Sequence, residues 1–183
     1  PVDAPPIALR FTDGAIHDSV YDPISNVSMR RARRAYRSAV TGMDRKLRPL
    51  LDALSSRGLE NDTAIVFHSD HGWSLGEQGL WRKFTNFELA TRVPLIVSVP
   101  WIEAQSARNA HPAELVDVLP TIAALSGVAI PQGEPAYDGV SLVPMLRNAS
   151  AAVKRFALSQ YPRRVEDPRE AWKKNSIIHH NRS

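Results

Sequence analysis

Apolar residues recur at helical spacing in the segment that precedes Gly58. Residues three and four positions apart share one face of a helix, so this series predicts an amphipathic helix. Ser28 is a suitable N-cap, and Pro49 lies inside the predicted helix, where it is expected to produce a kink. The apolar series consists of Tyr36, Val40, Met43, Leu47, Leu50, Leu51 and Leu54.

Two short apolar runs follow, AIVF at 64–67 and PLIVSV at 94–99. Both are too short for a helix and rich in β-branched residues, which predicts buried strands. The residues NFELAT at 86–91 form a short helical pattern between them. An order of strand, helix and strand is typical of parallel pairing, so the two runs are expected to be parallel neighbours.

The remaining pattern predicts a helix over 112–127 that stops at Gly127, a turn and short helix over 138–146, and a strand over 156–161. Together these elements predict an α/β fold with a mixed, largely parallel sheet flanked by helices. In open sheets of this class, ligands bind at the carboxyl ends of the strands. The residues directly after the first strand are therefore candidates for a functional site.

Composition excludes several kinds of site. The 183 residues include no cysteine, so a disulfide framework, a thiolate metal site and a cysteine nucleophile cannot be built from them. No apolar run is long enough to predict a membrane span. The formal charge of +4 comes from 23 basic residues interspersed with 19 acidic ones, which favours anionic partners only weakly.

One segment departs from this mixture of charges. The residues RRARRAYR at 30–37 carry five arginines. Such a run could contact an acidic polysaccharide or nucleic acid, although a solvated helix face is the simpler interpretation. Tyr36 belongs to the apolar series of the helix, so no aromatic stacking platform accompanies the charge, and no nucleic acid partner is predicted.

Asp70 and His71 stand side by side where the first predicted strand ends, and Gly72 supplies a turn. A carboxylate and an imidazole that converge there offer a divalent cation one hard oxygen and one borderline nitrogen. Two ligands do not complete a site, so further carboxylates would have to come from distant parts of the chain. The alternative is structural: the aspartate caps the turn and the histidine forms a surface hydrogen bond.

The loop that follows ends at Lys83. Gly76 and Gly79 punctuate it, and Trp73 and Trp81 could anchor it so that Lys83 folds back over the strand end. A single lysine is more often solvated than bound to an anion, and this alternative stays open for Lys83.

The segment TAIVFHSDHGWSLGEQGLWRKFTNFELATRVPLIVSVP at 63–100 resembles a conserved block of the sulfatase family, in the alkaline-phosphatase-like superfamily. Three further segments resemble later parts of these enzymes in the same order, so the resemblance spans about residues 30–165. It is strongest toward the iduronate-2-sulfatase branch. The three segments are ELVDVLPTIAALSGV, YDGVSLVPML and LSQYPR.

The resemblance implies a role for four residues. Asp70 and His71 match two metal ligands of the family, for Ca²⁺ or another divalent cation, and Lys83 matches the lysine that contacts the substrate sulfate. Trp73 lies next to these ligands in sequence, where a sugar-facing wall and core packing are both reasonable roles. The implied substrate is a sulfate ester of a sulfated carbohydrate, such as iduronate 2-sulfate.

The nucleophile of the family is a formylglycine made from cysteine, and no cysteine is present here. The resemblance therefore implies one partial domain over 1–183, with an irregular lead-in at 1–27, a family-like core at 28–165 and a divergent tail at 166–183. Hydrolysis would require the N-terminal part of the enzyme as a partner, so the isolated chain is expected to be inactive. Three explanations stay open: a C-terminal fragment, a truncated gene model and a degenerate paralogue.

Two other functions remain open at this point. The Asp-His pair also occurs in phosphonate and phosphodiester hydrolases of the superfamily, and a noncatalytic remnant could bind anionic glycans or a partner. The family favours a secretory, lysosomal or periplasmic location. Four Asn-x-Ser/Thr triplets agree with a secretory route without establishing it, at Asn26, Asn61, Asn148 and Asn181.

Overall fold

The computed structural model describes residues 25–83, 85–103, 108–130, 136–162 and 176–181. Its helices and strands, in chain order, are α1 (Asn26–Ser56), β1 (Ile65–His68), β2 (Ser74–Leu75), β3 (Trp81–Arg82), α2 (Glu88–Thr91), β4 (Leu95–Ser98), α3 (Val118–Ser126), α4 (Val143–Arg147), β5 (Ala157–Pro162) and β6 (Ser176–Asn181). Short 3₁₀ turns lie at Glu60–Asp62, Glu77–Gly79 and Leu115–Asp117.

Two compact units divide the chain. One contains the described parts of Pro1–Glu60, His71–Val93 and Tyr161–Ile177, and the other contains those of Asn61–Asp70, Pro94–Gln160 and Ile178–Ser183. The first unit therefore holds α1 and the β2–β3 hairpin. The second holds β1, β4, α3 and α4.

The predicted long helix is confirmed as α1, which has 31 residues and contains Pro49. It begins slightly earlier than expected, because Ser25 rather than Ser28 is the N-cap. The Ser25 hydroxyl accepts a hydrogen bond from the backbone N–H of Ser28 at 3.2 Å, which satisfies a donor of the first turn. The apolar series lies on an exposed face, where Val40 is 54% and Leu50 is 61% exposed.

The first two predicted strands are confirmed as β1 and β4, but their predicted parallel pairing is wrong. They pair antiparallel, with Ile65 opposite Ser98 and His68 opposite Leu95. The helix between them explains the error. A parallel crossover is usually made by a helix that lies along the sheet, whereas α2 has only four residues, and the chain makes the β2–β3 hairpin before it returns.

The C-terminal elements of the second unit follow the predicted order, but the helix predicted over 112–127 begins only at Val118, after a 3₁₀ turn at Leu115–Asp117. Helix α3 ends at Gly127, which adopts the left-handed conformation with φ 69° that a residue with a side chain rarely takes. The short helix is α4, and the last predicted strand is β5, which pairs with β6. Strand β6 falls in the region 166–183 that the sequence marked as a divergent tail. The predicted lead-in at 1–27 lies almost wholly outside the described residues.

A buried polar network centred on Asp117 holds the second unit together. Asp117 is 0% exposed, and its carboxylate accepts hydrogen bonds from the backbone N–H of Glu114 at 2.8 Å and of Val140 at 2.9 Å. The ammonium of Lys154 donates to the same carboxylate at 2.7 Å and to that of Glu114 at 2.5 Å. The second carboxylate oxygen of Glu114 accepts from the N–H of Leu158 at 2.8 Å. Asp117 thus connects the start of α3 with the turn before α4 and with Lys154, and Glu114 adds a contact to strand β5.

Two charged partners set the protonation of Lys154. Burial by itself lowers the pKa of this amine, but hydrogen bonds and charge attraction from Asp117 and Glu114 outweigh burial, so the pKa is raised above the ordinary lysine value. The ammonium form is therefore the one that the folded protein stabilises. None of the helices in the described ranges has both the length and the apolar character of a membrane span.

Candidate functional site

The hairpin formed by β2 and β3 brings two sequence-predicted residues together. Ser74 lies opposite Arg82, and Leu75 lies opposite Trp81. His71 precedes β2 by three positions, and Lys83 directly follows β3. Because the strands are antiparallel, the chain segments before β2 and after β3 run side by side. Residues 12 positions apart in sequence thereby become neighbours.

His71 and Lys83 contact each other through their side-chain nitrogens. Lys83 Nζ lies 2.5 Å from His71 Nε2, and the other ring nitrogen, Nδ1, lies 2.8 Å from the carbonyl oxygen of Gly72. A carbonyl can only accept, so Nδ1 carries the proton and Nε2 presents its lone pair to the ammonium. Both side chains are half-buried. The ring of His71 is therefore held on both sides, by the Gly72 carbonyl at Nδ1 and by Lys83 at Nε2.

Gly72 fixes the backbone at this point. Its N–H donates to the carbonyl of Ala90 at 2.8 Å, which ties the segment to α2. A Cβ at this position would lie 2.0 Å from the carbonyl oxygen of Leu89 and 2.9 Å from that of Arg92. Only glycine permits such a close approach of two backbones. The turn predicted from Gly72 is thus part of the packing that orients His71.

Trp73 lies between His71 and α1. Its ring is 6.1 Å from the His71 ring, in a tilted arrangement, and is stacked on Tyr36 at 6.4 Å. Its side chain is 37% exposed. Offset and tilted aromatic pairs at these separations are attractive, so Tyr36 and Trp73 together restrict the His71 ring. A sugar-facing role for Trp73 stays a prediction, with the exposed part of the ring as the surface it would use.

Arg33 is a positioning residue that the sequence did not reveal. Its Nε donates to the carbonyl of Leu75 at 2.9 Å, and its guanidinium lies 6.0 Å from the centre of the Trp81 ring. These contacts attach the hairpin to α1, with Trp81 only 7% exposed. In the sequence Arg33 is one of five similar arginines. Only the contact with a residue 42 positions away distinguishes it.

The loop between the strands requires unusual backbone conformations. Gly76 has φ 103° and Gly79 has φ 71°, as expected of the glycines that the sequence marked as turn formers. Gln78 at 57° and Arg82 at 71° share this left-handed region, although they carry side chains. Such conformations are costly and concentrate at functional sites. Here they direct the chain so that Lys83 emerges at the open end of the hairpin.

Asp70 ends the segment that follows β1, next to His71 in sequence, and its side chain is exposed. The Ser69 hydroxyl is 3.5 Å from one of its carboxylate oxygens. Within the described ranges, no three His, Asp or Glu side chains are grouped closely enough to hold a metal ion. Asp70 and His71 offer suitable donor atoms, and His71 has the suitable tautomer, but a stable cation site would need further ligands. A cation bound at Nε2 would also replace the contact with Lys83.

Comparison with known proteins places the chain in a family. The model of the sulfatase family matches residues 9–128. A choline-sulfatase of Rhizobium meliloti is 42% identical over 125 residues, which is 67% of this chain and 24% of that protein. The iduronate 2-sulfatase of Homo sapiens is 33% identical over 177 residues, covering 82% of this chain and 32% of that protein. The chain thus spans about a quarter to a third of the length of these relatives.

Solved structures give the same fold. One, described as a complex with its substrate D-glucosamine-2-N,6-O-disulfate, has a TM-score of 0.65 at 28% identity and covers 78% of this chain and 28% of its own. A phosphonate monoester hydrolase from Silicibacter pomeroyi has a TM-score of 0.53 at 31% identity, with 62% of this chain and 22% of its own covered. The predicted fold class, an incomplete α/β domain of the alkaline-phosphatase type, is therefore confirmed.

Proposed function

This chain belongs to the sulfatase family, and we propose that it forms the C-terminal part of the catalytic domain of a calcium-dependent sulfatase that acts on a sulfated sugar, such as iduronate 2-sulfate. The contact between His71 and Lys83 at 2.5 Å carries the proposal. It places a cationic group against the electron donor of an imidazole, directly after a strand of an α/β fold. The partial coverage of the relatives supports the assignment to one part of a larger domain.

Lys83 would bind the sulfate group of the substrate. Cleavage of a sulfate ester moves negative charge onto the leaving oxygen and the nonbridging oxygens, and an ammonium fixed nearby offsets that charge where water is excluded. The hairpin and the His71 ring hold Lys83 near the reacting group before substrate arrives. Its long side chain can turn from the imidazole to the anion, since only one hydrogen bond must be exchanged.

Asp70 and His71 would supply two ligands to a divalent cation, with Ca²⁺ as the proposed ion. When bound, such an ion would supply positive charge to the nonbridging sulfate oxygens. The hydrogen bond between Nδ1 and the Gly72 carbonyl orients the ring so that Nε2 is the nitrogen left for a cation, and the stacking of Trp73 on Tyr36 limits rotation of the ring. Residues beyond the described part of the chain would complete the ligand set.

The nucleophile would also lie outside these 183 residues, since they contain no cysteine from which a formylglycine could be made. We therefore propose that the isolated chain does not hydrolyse sulfate esters, and that the activity belongs to the full-length enzyme.

Replacing Lys83 with alanine in the full-length enzyme tests the proposed role. We expect kcat/KM for a sulfate monoester to fall about 10²- to 10³-fold, since one preorganised group that stabilises charge in the transition state is worth this much. The matched control is Lys46→Ala, because Lys46 is an exposed lysine of α1. Unchanged kinetics in the Lys83 variant, or an equal loss in both variants, would remove the assignment.

Calcium titration of the full-length enzyme tests the metal ligands without relying on turnover. We expect His71→Ala to weaken calcium binding at least about tenfold, measured by isothermal titration calorimetry, since it removes one directly coordinating group. The control is His68→Ala, since the ring of His68 is exposed and its Nδ1 lies 3.1 Å from the carbonyl of Ser69. Equal calcium affinity in wild type and the His71 variant would exclude His71 as a ligand.

A phosphonate or phosphodiester hydrolase is the second candidate, favoured by the similarity to the phosphonate monoester hydrolase. The same cationic group would then face a phosphonate oxygen. A panel of sulfate, phosphodiester and phosphonate monoesters separates the two candidates by their kcat/KM values. The sequence of the full-length protein gives a second test, because a cysteine in a Cys-x-Pro-x-Arg context supports sulfatase chemistry and a serine or threonine nucleophile supports the alternative.

A further inference from the structure

The arginines of α1 line one open cleft. This cleft has a volume of about 790 Å³ and is bordered only by residues of α1. Five of its lining side chains are arginines, namely Arg30, Arg33, Arg34, Arg37 and Arg45, and all are exposed. On a helix these positions wind along one side, next to the apolar series rather than within it. The charge is therefore concentrated on a single stripe, here called the arginine stripe.

No ion pair among the described residues neutralises the arginine stripe, although Asp44 lies beside Arg45 at its C-terminal end. No Asp or Glu occurs from Ser25 to Met43. The ion pairs found in the described ranges are Arg48–Asp52, Arg92–Glu88 and those of Lys154, and none of them includes an arginine of the stripe. Arg33 alone has a structural contact, with the carbonyl of Leu75. The other guanidinium groups present their donors to solvent, where an ordinary solvated helix face would alternate charges.

We propose that the arginine stripe binds a linear sulfated polysaccharide, so that the enzyme holds a polymeric substrate at a second point away from the reacting sulfate. From Arg30 to Arg45 the stripe is about 22 Å long at 1.5 Å per residue, which suits an extended chain with regularly spaced anions better than one small ion. Guanidinium groups bind the oxygens of sulfate through paired donors. The choice of a sulfated glycan as the ligand rests on the proposed function. The presence of the cationic surface is independent of that function.

Nucleic acid is a weaker fit to this surface. Proteins that bind single strands combine positive charge with aromatic side chains on which bases stack. No aromatic residue lines the cleft, and Tyr36 instead stacks on Trp73. A polysaccharide needs no such platform, because its sulfates provide most of the binding energy to arginine.

Heparin, heparin stripped of its sulfates and a single-stranded DNA of similar length are the probes. In the full-length protein, Arg30, Arg34 and Arg37 are changed together to glutamine, which keeps helix propensity and leaves Arg33 in place. We expect heparin affinity to fall about tenfold or more, and its dependence on salt concentration to become shallower, because each exposed contact contributes little and three are lost. The control changes Arg57, Arg108 and Arg155 to glutamine; these arginines are also exposed and lie outside the cleft.

The outcomes distinguish this proposal from the proposed function. Turnover of a small sulfate monoester is expected to be the same in wild type and the triple variant, because the changed arginines do not contact His71 or Lys83. Arginine-dependent heparin binding in a protein that cleaves no sulfate ester would uphold the stripe and refute the proposed function. Equal heparin affinity in the triple variant and wild type would overturn the proposal that the arginine stripe binds a sulfated polysaccharide. The same holds if DNA binds at least as tightly as heparin, or if heparin stripped of its sulfates binds as tightly as heparin.

Discussion

Replacing Asp117 with alanine is expected to lower the free energy of unfolding by about 3–5 kcal/mol. The carboxylate is fully buried and accepts hydrogen bonds from the backbone of Glu114 and Val140 and from Lys154. Its removal leaves two part-buried N–H groups without their acceptor and takes one of two carboxylates from the part-buried ammonium of Lys154. Urea unfolding of the full-length protein, followed by circular dichroism, measures the loss.

The exposed pair of Arg48 and Asp52 provides the control for this experiment. Its atoms are 3.3 Å apart, but both side chains are mostly exposed, so Asp52→Ala is expected to cost no more than about 0.5 kcal/mol. An Asp117 variant as stable as the Asp52 variant would refute the network. Because the pKa of Lys154 is raised in the folded protein, its contribution is complete below the ordinary lysine pKa of 10.5 and disappears as pH rises through the raised value.

Sequence pattern predicted those elements whose cause is local. Helix α1 follows from one uninterrupted apolar series, and the end of α3 follows from Gly127, whose left-handed conformation only glycine adopts readily. Two tryptophans and two glycines predicted a folded-back loop that ends at Lys83, and the β2–β3 hairpin is such a loop, although its contact with His71 was not predicted. In each case, the residues that form the sequence pattern belong to the same short segment as the structure that they predict.

Features that depend on distant partners could not be predicted in this way. The antiparallel pairing of β1 and β4 depends on how the 26 intervening residues fold. The apolar residues of two strands show that both are buried, but they do not show whether the strands run parallel or antiparallel. Arg33 is likewise indistinguishable from its neighbours until the hairpin is placed against α1. The Asp117 network requires Lys154, which is 37 residues away, so no local pattern in the sequence reveals that the two side chains meet.

The candidate site depends as much on backbone packing as on the side chains that do chemistry. His71 reaches Lys83 because Gly72 allows its segment to approach α2, and because the stacking of Tyr36 on Trp73 limits the ring on its other side. A change that touches neither His71 nor Lys83 should therefore disturb both. At Gly72, the addition of a single methyl group is expected to displace the segment that holds His71.

In the full-length enzyme, Gly72→Ala is expected to reduce kcat/KM for a sulfate ester about 10²-fold or more. The new Cβ would lie 2.0 Å from the Leu89 carbonyl oxygen, so either α2 or the His71 segment must move, and displacements near 1 Å have this effect on catalysis. Gly42→Ala is the control, because nothing lies within 4 Å of its Cβ position, and alanine in place of a helical glycine should stabilise α1 by up to about 1 kcal/mol. Steady-state kinetics and thermal unfolding of both variants separate misplacement from unfolding. If Gly72→Ala keeps wild-type kcat/KM, the backbone contact does not position His71 and Lys83, and the geometry proposed for the site is wrong.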